Sequence, residues 1–318
     1  MVPIRRFPHE PVLLSGKADV LRTMGRYEDA VEVYASAVER FPFEPAAFNG
    51  YAETVRDIGD ISGALRIYEV AVNKFPQDVR VRSGQAKTLQ VAGRYADALQ
   101  AFDKNVRDFP YDLFGLTGRA NLLRLLGRYN DAVEAYEAII VRRPDYAAAR
   151  NGKAAVLILL GKLDLADAML PRENPTTSIE WVGYHIRGMM YLKSGNIEDA
   201  IKVFTYGIQK NPFHRERSLF ESGLAAAKIR IREFEPAARL LEQTSGVIAK
   251  LLQMHSFAAI GNIDRAKAAM LAVNDNEPPG VVHLREALAT KFSLKPGGAD
   301  RGDAWILNQE AEILLQAA

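Results

Sequence analysis

The chain has 318 residues, 48% hydrophobic and 25% charged, with a net charge of +2, so its overall field draws it to neither nucleic acid nor anionic lipid. It has no cysteine, which removes disulfides, thiolate catalysis and cysteine-type zinc sites. The longest apolar run, Ala154 to Leu160, is far short of the ~20 residues a membrane-spanning helix needs, and the first eight residues have no apolar signal core; the expectation is a cytoplasmic chain without membrane insertion.

Residues 1–10 are the first element. Ile4, Arg6, Phe7 and Pro8 align 34 residues upstream of Val38, Arg40, Phe41 and Pro42, so they read as the remnant of a preceding repeat. Either a natural start caps the array with a short turn, or the chain is cut from a longer protein. From residue 11 the period is explicit. Gly25, Gly59, Gly93, Gly127, Gly161 and Gly195 stand 34 apart, as do Gly16, Gly50, Gly84, Gly118 and Gly152. Ala30, Ala64, Ala98, Ala132, Ala166 and Ala200 keep the same step. Tyr34, Tyr68, Phe102, Tyr136 and Phe204 follow by four, and Pro42, Pro76, Pro110, Pro144 and Pro212 close the units. A fixed period of this size encodes a stack of equal supersecondary units, none able to bury its apolar face alone.

The first unit reads as two helices, about 11–24 and 27–40, from the helical spacing of Leu14, Ala18 and Leu21, then Tyr27, Ala30, Val31, Tyr34 and Val38. Gly25 sits where a left-handed cap is needed, and Phe41-Pro42 ends the second helix. Units at 45–78, 79–112 and 113–146 repeat this. The regular array runs over 11–170. Pro171 falls inside the expected second helix of the fifth unit and turns 171–178 into an irregular loop. Thr177 and Glu180 then fit a capping box. Further helix pairs fill 179–278 with a drifting register, roughly 216–243 and 246–273 for the last two. After Pro278-Pro279-Gly280, residues 279–318 read as capping helices near 281–292 and 303–316, the last burying one face on the eighth unit.

The period, the Ala-x3-aromatic step and the closing Pro make the chain resemble the tetratricopeptide repeat family. The sixth unit matches best, with Tyr184, Arg187, Gly188 and Tyr191, then Ala200, Phe204 and Pro212. The family's Leu-Gly pair is replaced by polar-Ala: Lys17-Ala18, Tyr51-Ala52, Gln85-Ala86, Arg119-Ala120, Lys153-Ala154. The resemblance implies an all-α, right-handed α-solenoid of about eight helix-turn-helix repeats with a helical C-terminal cap. It also implies a concave groove lined by the first helices, and partner binding rather than a particular chemistry.

On that resemblance the groove face carries Arg22, Asn49, Glu53, Arg56, Arg80, Lys87, Asn121, Arg124, Asn151, Ile158, His185 and Met189. The first three units present charges; the fifth and sixth present apolar side chains, which are expected to anchor a partner unless Ile158 and Met189 are core. The glycines at Gly16, Gly50, Gly84, Gly118 and Gly152 cost a helix ~1 kcal/mol each. They read either as close contacts between adjacent helices or as a groove floor for a partner's main chain. Ser15, Asn49, Ser83, Thr117 and Asn151 precede them, a ladder of short hydrogen-bonding side chains. Some family members hold a carboxylate in a Lys/Asn/Lys/Arg clamp; here Ser15, Asp19, Gly50, Arg80 and Gly84 match it at Arg80 alone.

Chemistry is thin. The five histidines lack metal-site spacing, no phosphate-binding glycine loop occurs, and no catalytic residue, metal or cofactor is expected. Lys210, His214, Arg215, Arg217, Lys228, Arg230 and Arg232 form a basic cluster, read as a solvated face partly paired with Glu216, Glu221 and Glu233. The 27 Arg against 14 Lys fit a GC-rich bacterial genome. The expected function is a non-catalytic scaffold that binds a protein or peptide segment in its groove. The alternatives are a sensor or scaffolding segment of a larger multidomain protein, and RNA binding through the basic cluster, with nucleic acid disfavoured.

Overall fold

The computed structural model describes residues 11–172, 175–244, 246–273, 277, 279–294 and 303–317. The readings of residues 1–10 and of the Lys295–Gly302 loop lie outside these. Among the described residues there are 18 helices and no strand. The chain forms two compact units, Met1–Leu126 and Gly127–Ala318.

The first unit holds α1 (Pro11–Thr23), α2 (Tyr27–Arg40), α3 (Pro45–Asp57), α4 (Ile61–Lys74), α5 (Val79–Val91), α6 (Tyr95–Asp108) and α7 (Leu113–Leu125). Each turn within a pair is a left-handed glycine: Gly25 has φ 74°, Gly59 92° and Gly93 74°. Only glycine enters that region without a Cβ penalty. Second helices end on Phe41, Phe75 and Phe109, each before a proline, which pushes its predecessor out of helical geometry. The first helices α5 and α7 start on capping carboxylates. Asp78 accepts from the Arg80 and Val81 amides at 3.0 and 3.1 Å, and Asp112 from Gly115 at 2.6 Å.

The glycine ladder has a packing cause. The rings of Tyr34, Tyr68 and Phe102 are at most 1% exposed. A Cβ added to Gly50, Gly84 or Gly118 would lie within 3.0 Å of the ring from the preceding pair. Each aromatic plugs a socket that only glycine leaves open. At Gly16 no described atom lies within 4 Å of such a Cβ. At Gly50, Gly84 and Gly118 the ladder is therefore a packing feature, and of its two readings the open groove floor for a partner's main chain is corrected there.

The second unit holds α8 (Tyr129–Arg142), α9 (Ala147–Leu159), α10 (Leu163–Asp167), α11 (Ser178–Ser194), α12 (Ile197–Lys210), α13 (His214–Arg230), α14 (Phe234–Leu240), α15 (Val247–Ala259), α16 (Ile263–Leu271), α17 (Pro279–Lys291) and α18 (Asp303–Ala317). The same sockets recur: Tyr136 against Gly152, and Phe204 against Gly188 and Gly223. α10 is only five residues long. It stops at Asp167 because the Pro171 ring clashes with the carbonyl four residues before it. Arg187 of α11 takes over the freed carbonyls. It donates to Leu170 O at 2.9 Å, Pro171 O at 2.8 Å and Asp167 O at 3.3 Å, and pairs with the Asp167 carboxylate. α11 then opens on the expected capping box. The Thr177 hydroxyl accepts from Glu180 N at 3.3 Å, and Glu180 accepts from Thr177 N at 3.1 Å.

Two C-terminal expectations are corrected. α17 begins at Pro279, two residues before the expected start, since proline is suited to a first helical position. α18 does not stack on the eighth unit alone. It runs across the first helices α9, α11, α13 and α15. The helix is apolar on more than one side, which lets it do so. Ala311, Leu314 and Leu315 join Ile158, Met189 and Leu192 in one core cluster, while Ile306 and Ile313 join Leu251, Met254 and Leu284 in another.

Candidate partner-binding face

In the first unit the same edge of α1, α3, α5 and α7 carries the predicted polar side chains. At the α1–α3 end the charges neutralise one another. Arg22 lies 2.9 Å from Glu53, 3.5 Å from Asp57 and 3.6 Å from Asp19. Burial opposes its charge, yet Glu53, Tyr34, Asp57 and Asp19 together hold the guanidinium above its ordinary range. Asn49 donates to Glu53 at 3.3 Å and accepts from the Tyr68 hydroxyl at 3.2 Å, so it braces the acid and the plugging ring at once.

At the α5–α7 end the balance differs. Arg56 donates to the Thr88 hydroxyl at 3.3 Å, and its nearest carboxylate, Asp57, is 3.9 Å away. Lys87 is half-buried and has no ion pair among the described residues. Burial, then the positive charges of Arg56 and Arg124, lower its ammonium from the usual lysine value. Lys87 is thus a part-desolvated cation that feels the positive charges of Arg56 and Arg124 from the neighbouring first helices. Arg124 is buried and Asn121 half-buried on α7. Arg80 stands apart, exposed at the start of α5 with Asp78 3.6 Å away. Contacts and fields thus link Arg22, Asn49 and Glu53 at one end and Arg56, Lys87 and Arg124 at the other.

The second-unit residues do not form an accessible anchor. Ile158, Met189 and His185 are fully buried, and Asn151 is 5% exposed. Ile158 and Met189 belong to the same buried cluster as Ala311, Leu314 and Leu315 of α18, and His185 sits between the Phe204 and Phe220 rings at 5.5 Å from each centroid. Asn151 donates to Ile179 O at 2.7 Å, tying α9 to α11. The expected anchor is corrected to interior packing. The apolar groove-facing stripe that motivated it is real, and its cover is a segment of the same chain.

Polar side chains complete that seam. Lys193 bonds to Asn308 and lies 3.8 Å from Glu312; Arg230 donates to Leu307 O at 2.6 Å; His255 and Glu310 meet at 2.6 Å with both side chains buried. Glu310, a carboxylate between apolar Ile306, Ala311, Ile313 and Leu314, was the signal in the sequence that a buried partner awaited it. The basic cluster disperses: Arg217 pairs with Glu221 at 2.8 Å, Lys228 with Glu233 at 2.7 Å, and Arg230 turns inward. Among the described residues no group of three His, Asp or Glu side chains is placed to hold a metal, and no helix is long and apolar enough to cross a membrane.

A family model described as tetratricopeptide repeat matches residues 16–79, 55–112 and 117–170. The chain belongs to the tetratricopeptide repeat family. Solved structures agree on the fold. A tetratricopeptide repeat protein from Parabacteroides merdae ATCC 43184 aligns with a TM-score of 0.55 at 16% identity, over 79% of this chain and 98% of its own. The APC/C hetero-tetramer Cut9-Hcn1 gives 0.57 at 15%, over 89% of this chain and 56% of that one. PilW, a type IV pilus biogenesis factor, gives 0.51 at 16%, over 65% and 96%. No curated protein sequence matches the chain. The tetratricopeptide repeats support a role as a protein-interaction scaffold, which in this fold is generally non-catalytic.

Proposed function

We propose that the chain is a scaffold that binds an acidic peptide or protein segment along the first-unit face of α1, α3, α5 and α7. The observation that carries this reading is Lys87, half-buried between Arg56 and Arg124 and without an ion pair among the described residues. A carboxylate brought there by a partner would relieve the repulsion and recover an ion pair already part-desolvated, where screening by water is weak. Arg22, Asn49 and Glu53, already bonded to one another, form a rigid polar floor beside it. Exposed Arg80 steers the approach.

The test is a fluorescence-anisotropy titration with a labelled library of about 15-residue acidic peptides, at low and at physiological salt. Binding should fall at least about tenfold in Arg56→Glu/Lys87→Glu, a reversal worth ~1.4 kcal/mol or more. Arg217→Glu in the second unit should leave it unchanged. Equal affinity in the double variant and the parent would refute the face.

A further inference from the structure

The second helices α8 and α12 run 14 residues, whereas α10 stops after five. Beyond α10 a non-helical stretch lies against α11. Pro171 packs on Gly183, its carbonyl accepts from Arg187 at 2.8 Å, and Pro175 is buried. Beside this stretch is a hollow of about 500 Å³, lined by Tyr184, Arg187 and Tyr191 of α11 and by Lys202, Val203 and Tyr206 of α12. It continues past Tyr191 into a second hollow of about 450 Å³ along Met190 and Ser194. All three tyrosines are half-buried. Tyr206 stacks on Trp181 at 6.0 Å and meets Tyr184 edge-on at 5.7 Å, so these rings are held in place before any ligand arrives. The corresponding hollow of the first unit, three repeats earlier, has Leu89 and Lys104 where this one has Tyr191 and Tyr206. The charges around the trough are matched within the chain. Asp167 pairs with Arg187 and lies 3.3 Å from Arg172, and Asp199 lies 3.1 Å from Lys202. A ligand with net charge gains little from such a lining, and a neutral one is favoured.

We propose that this trough binds a proline-rich segment of another protein, held in the extended polyproline II conformation. Three features select that occupant. The first is register. Tyr184 and Tyr191 stand two turns apart on one side of α11, which sets their rings ~10 Å apart along the axis. A polyproline II chain brings the same side round every three residues, ~9 Å along its axis. Prolines at that step meet one tyrosine ring each, the way aromatic-lined grooves read such segments. The second is neutrality: proline carries no charge, and the trough has matched its own. The third is continuity, since α11 already seats Pro171 and Pro175 of this chain beside the hollow. A segment stiffened by proline also loses little freedom on docking, which suits a shallow site with few contacts. The inference is independent of the cationic face of the first unit.

The test titrates the full chain into fluorescein-labelled decaproline, with a Gly-Ser peptide of equal length as control. Anisotropy should rise saturably with decaproline and stay flat with the control. The affinity should change by less than about twofold between low and physiological salt. Tyr191→Ala should weaken uptake at least about tenfold, and Tyr191→Phe should keep it, because the ring makes the contact. Tyr191 lies outside the cluster of Trp181, Tyr184 and Tyr206, so the far-UV signal of both variants should match the parent. Arg56→Glu/Lys87→Glu should bind decaproline as the parent does, which separates this trough from the first-unit face. No saturable uptake by the parent, or equal uptake by Tyr191→Ala, would overturn the proposal. So would an acidic or an amphipathic helical peptide that binds in a Tyr191-dependent way while decaproline stays free.

Discussion

Gly118→Ala and Gly16→Ala are the same substitution at the same place in the repeat, and they should have opposite signs. In a helix interior, alanine is favoured over glycine by ~1 kcal/mol. At Gly16 no described atom lies within 4 Å of the new methyl, so the substitution should stabilise by about that amount. At Gly118 the methyl would lie 2.7 Å from Phe102 Cζ and 3.3 Å from Cδ1, against 3.4 Å or more for ordinary contact. The ring is 1% exposed and packed among Ala86, Leu89, Ala98 and Leu122, so it has no free direction in which to retreat. Overpacking of this kind costs ~1–3 kcal/mol. Set against the propensity gain of ~1 kcal/mol, the net is destabilisation by about 1 kcal/mol, and about 2 kcal/mol separates the two variants. Urea unfolding followed by far-UV circular dichroism measures both. Repeating Gly118→Ala in a Phe102→Leu background should remove most of its cost, a coupling of about 1 kcal/mol. If both alanines stabilise, or if shrinking the ring leaves the Gly118→Ala effect unchanged, the socket argument is wrong.

Three further outcomes are expected. Lys87→Gln should raise the stability of the first unit by ~0.5–1 kcal/mol while weakening an acidic partner; the parent should gain stability as pH rises from the lowered lysine value toward 10.5, where the ammonium discharges, and the variant should lack that gain, as pH-dependent urea midpoints will show. His185, pushed down by burial to about 4 from 6.5, is held neutral in the fold, so stability present above pH 6.5 should be lost progressively down to pH 4, by a total on the order of 3 kcal/mol, and His185→Leu should flatten that slope. Thr177→Ala should remove the capping box of α11 at a cost of ~1 kcal/mol, read from the thermal midpoint, and an unchanged midpoint would show that α11 is held by its packing alone.

The helices were legible because each repeat states its own punctuation. Gly25 and Pro42 act locally, through φ and through sterics, and need no tertiary context. The Pro171 break was legible for the same reason, and so was the Thr177 cap. The site was legible only in part. The positions of Arg22, Arg56 and Lys87 on one edge follow from helical spacing, but the pairing of Arg22 and the lack of an ion pair at Lys87 depend on which rotamers meet across helices. The burial of Ile158 and Met189 depends on α18, about 150 residues downstream of Ile158, and periodicity carries no information at that range. The glycine ladder was read correctly as costly; its cause became visible only when the ring of one pair was placed against the helix of the next.

Because α18 touches α9, α11, α13 and α15 together, it changes how the second unit comes apart. In an array whose members touch only their neighbours, denaturation spreads as a zipper, with terminal members fraying first and intermediates of every length populated. A single element spanning four first helices links members that are not adjacent. Opening any one of them then forfeits part of a bond shared by all. The first unit, whose helix pairs touch only adjacent pairs, should fray gradually from its ends, while the second should melt as a block with a steeper transition than its length alone would give.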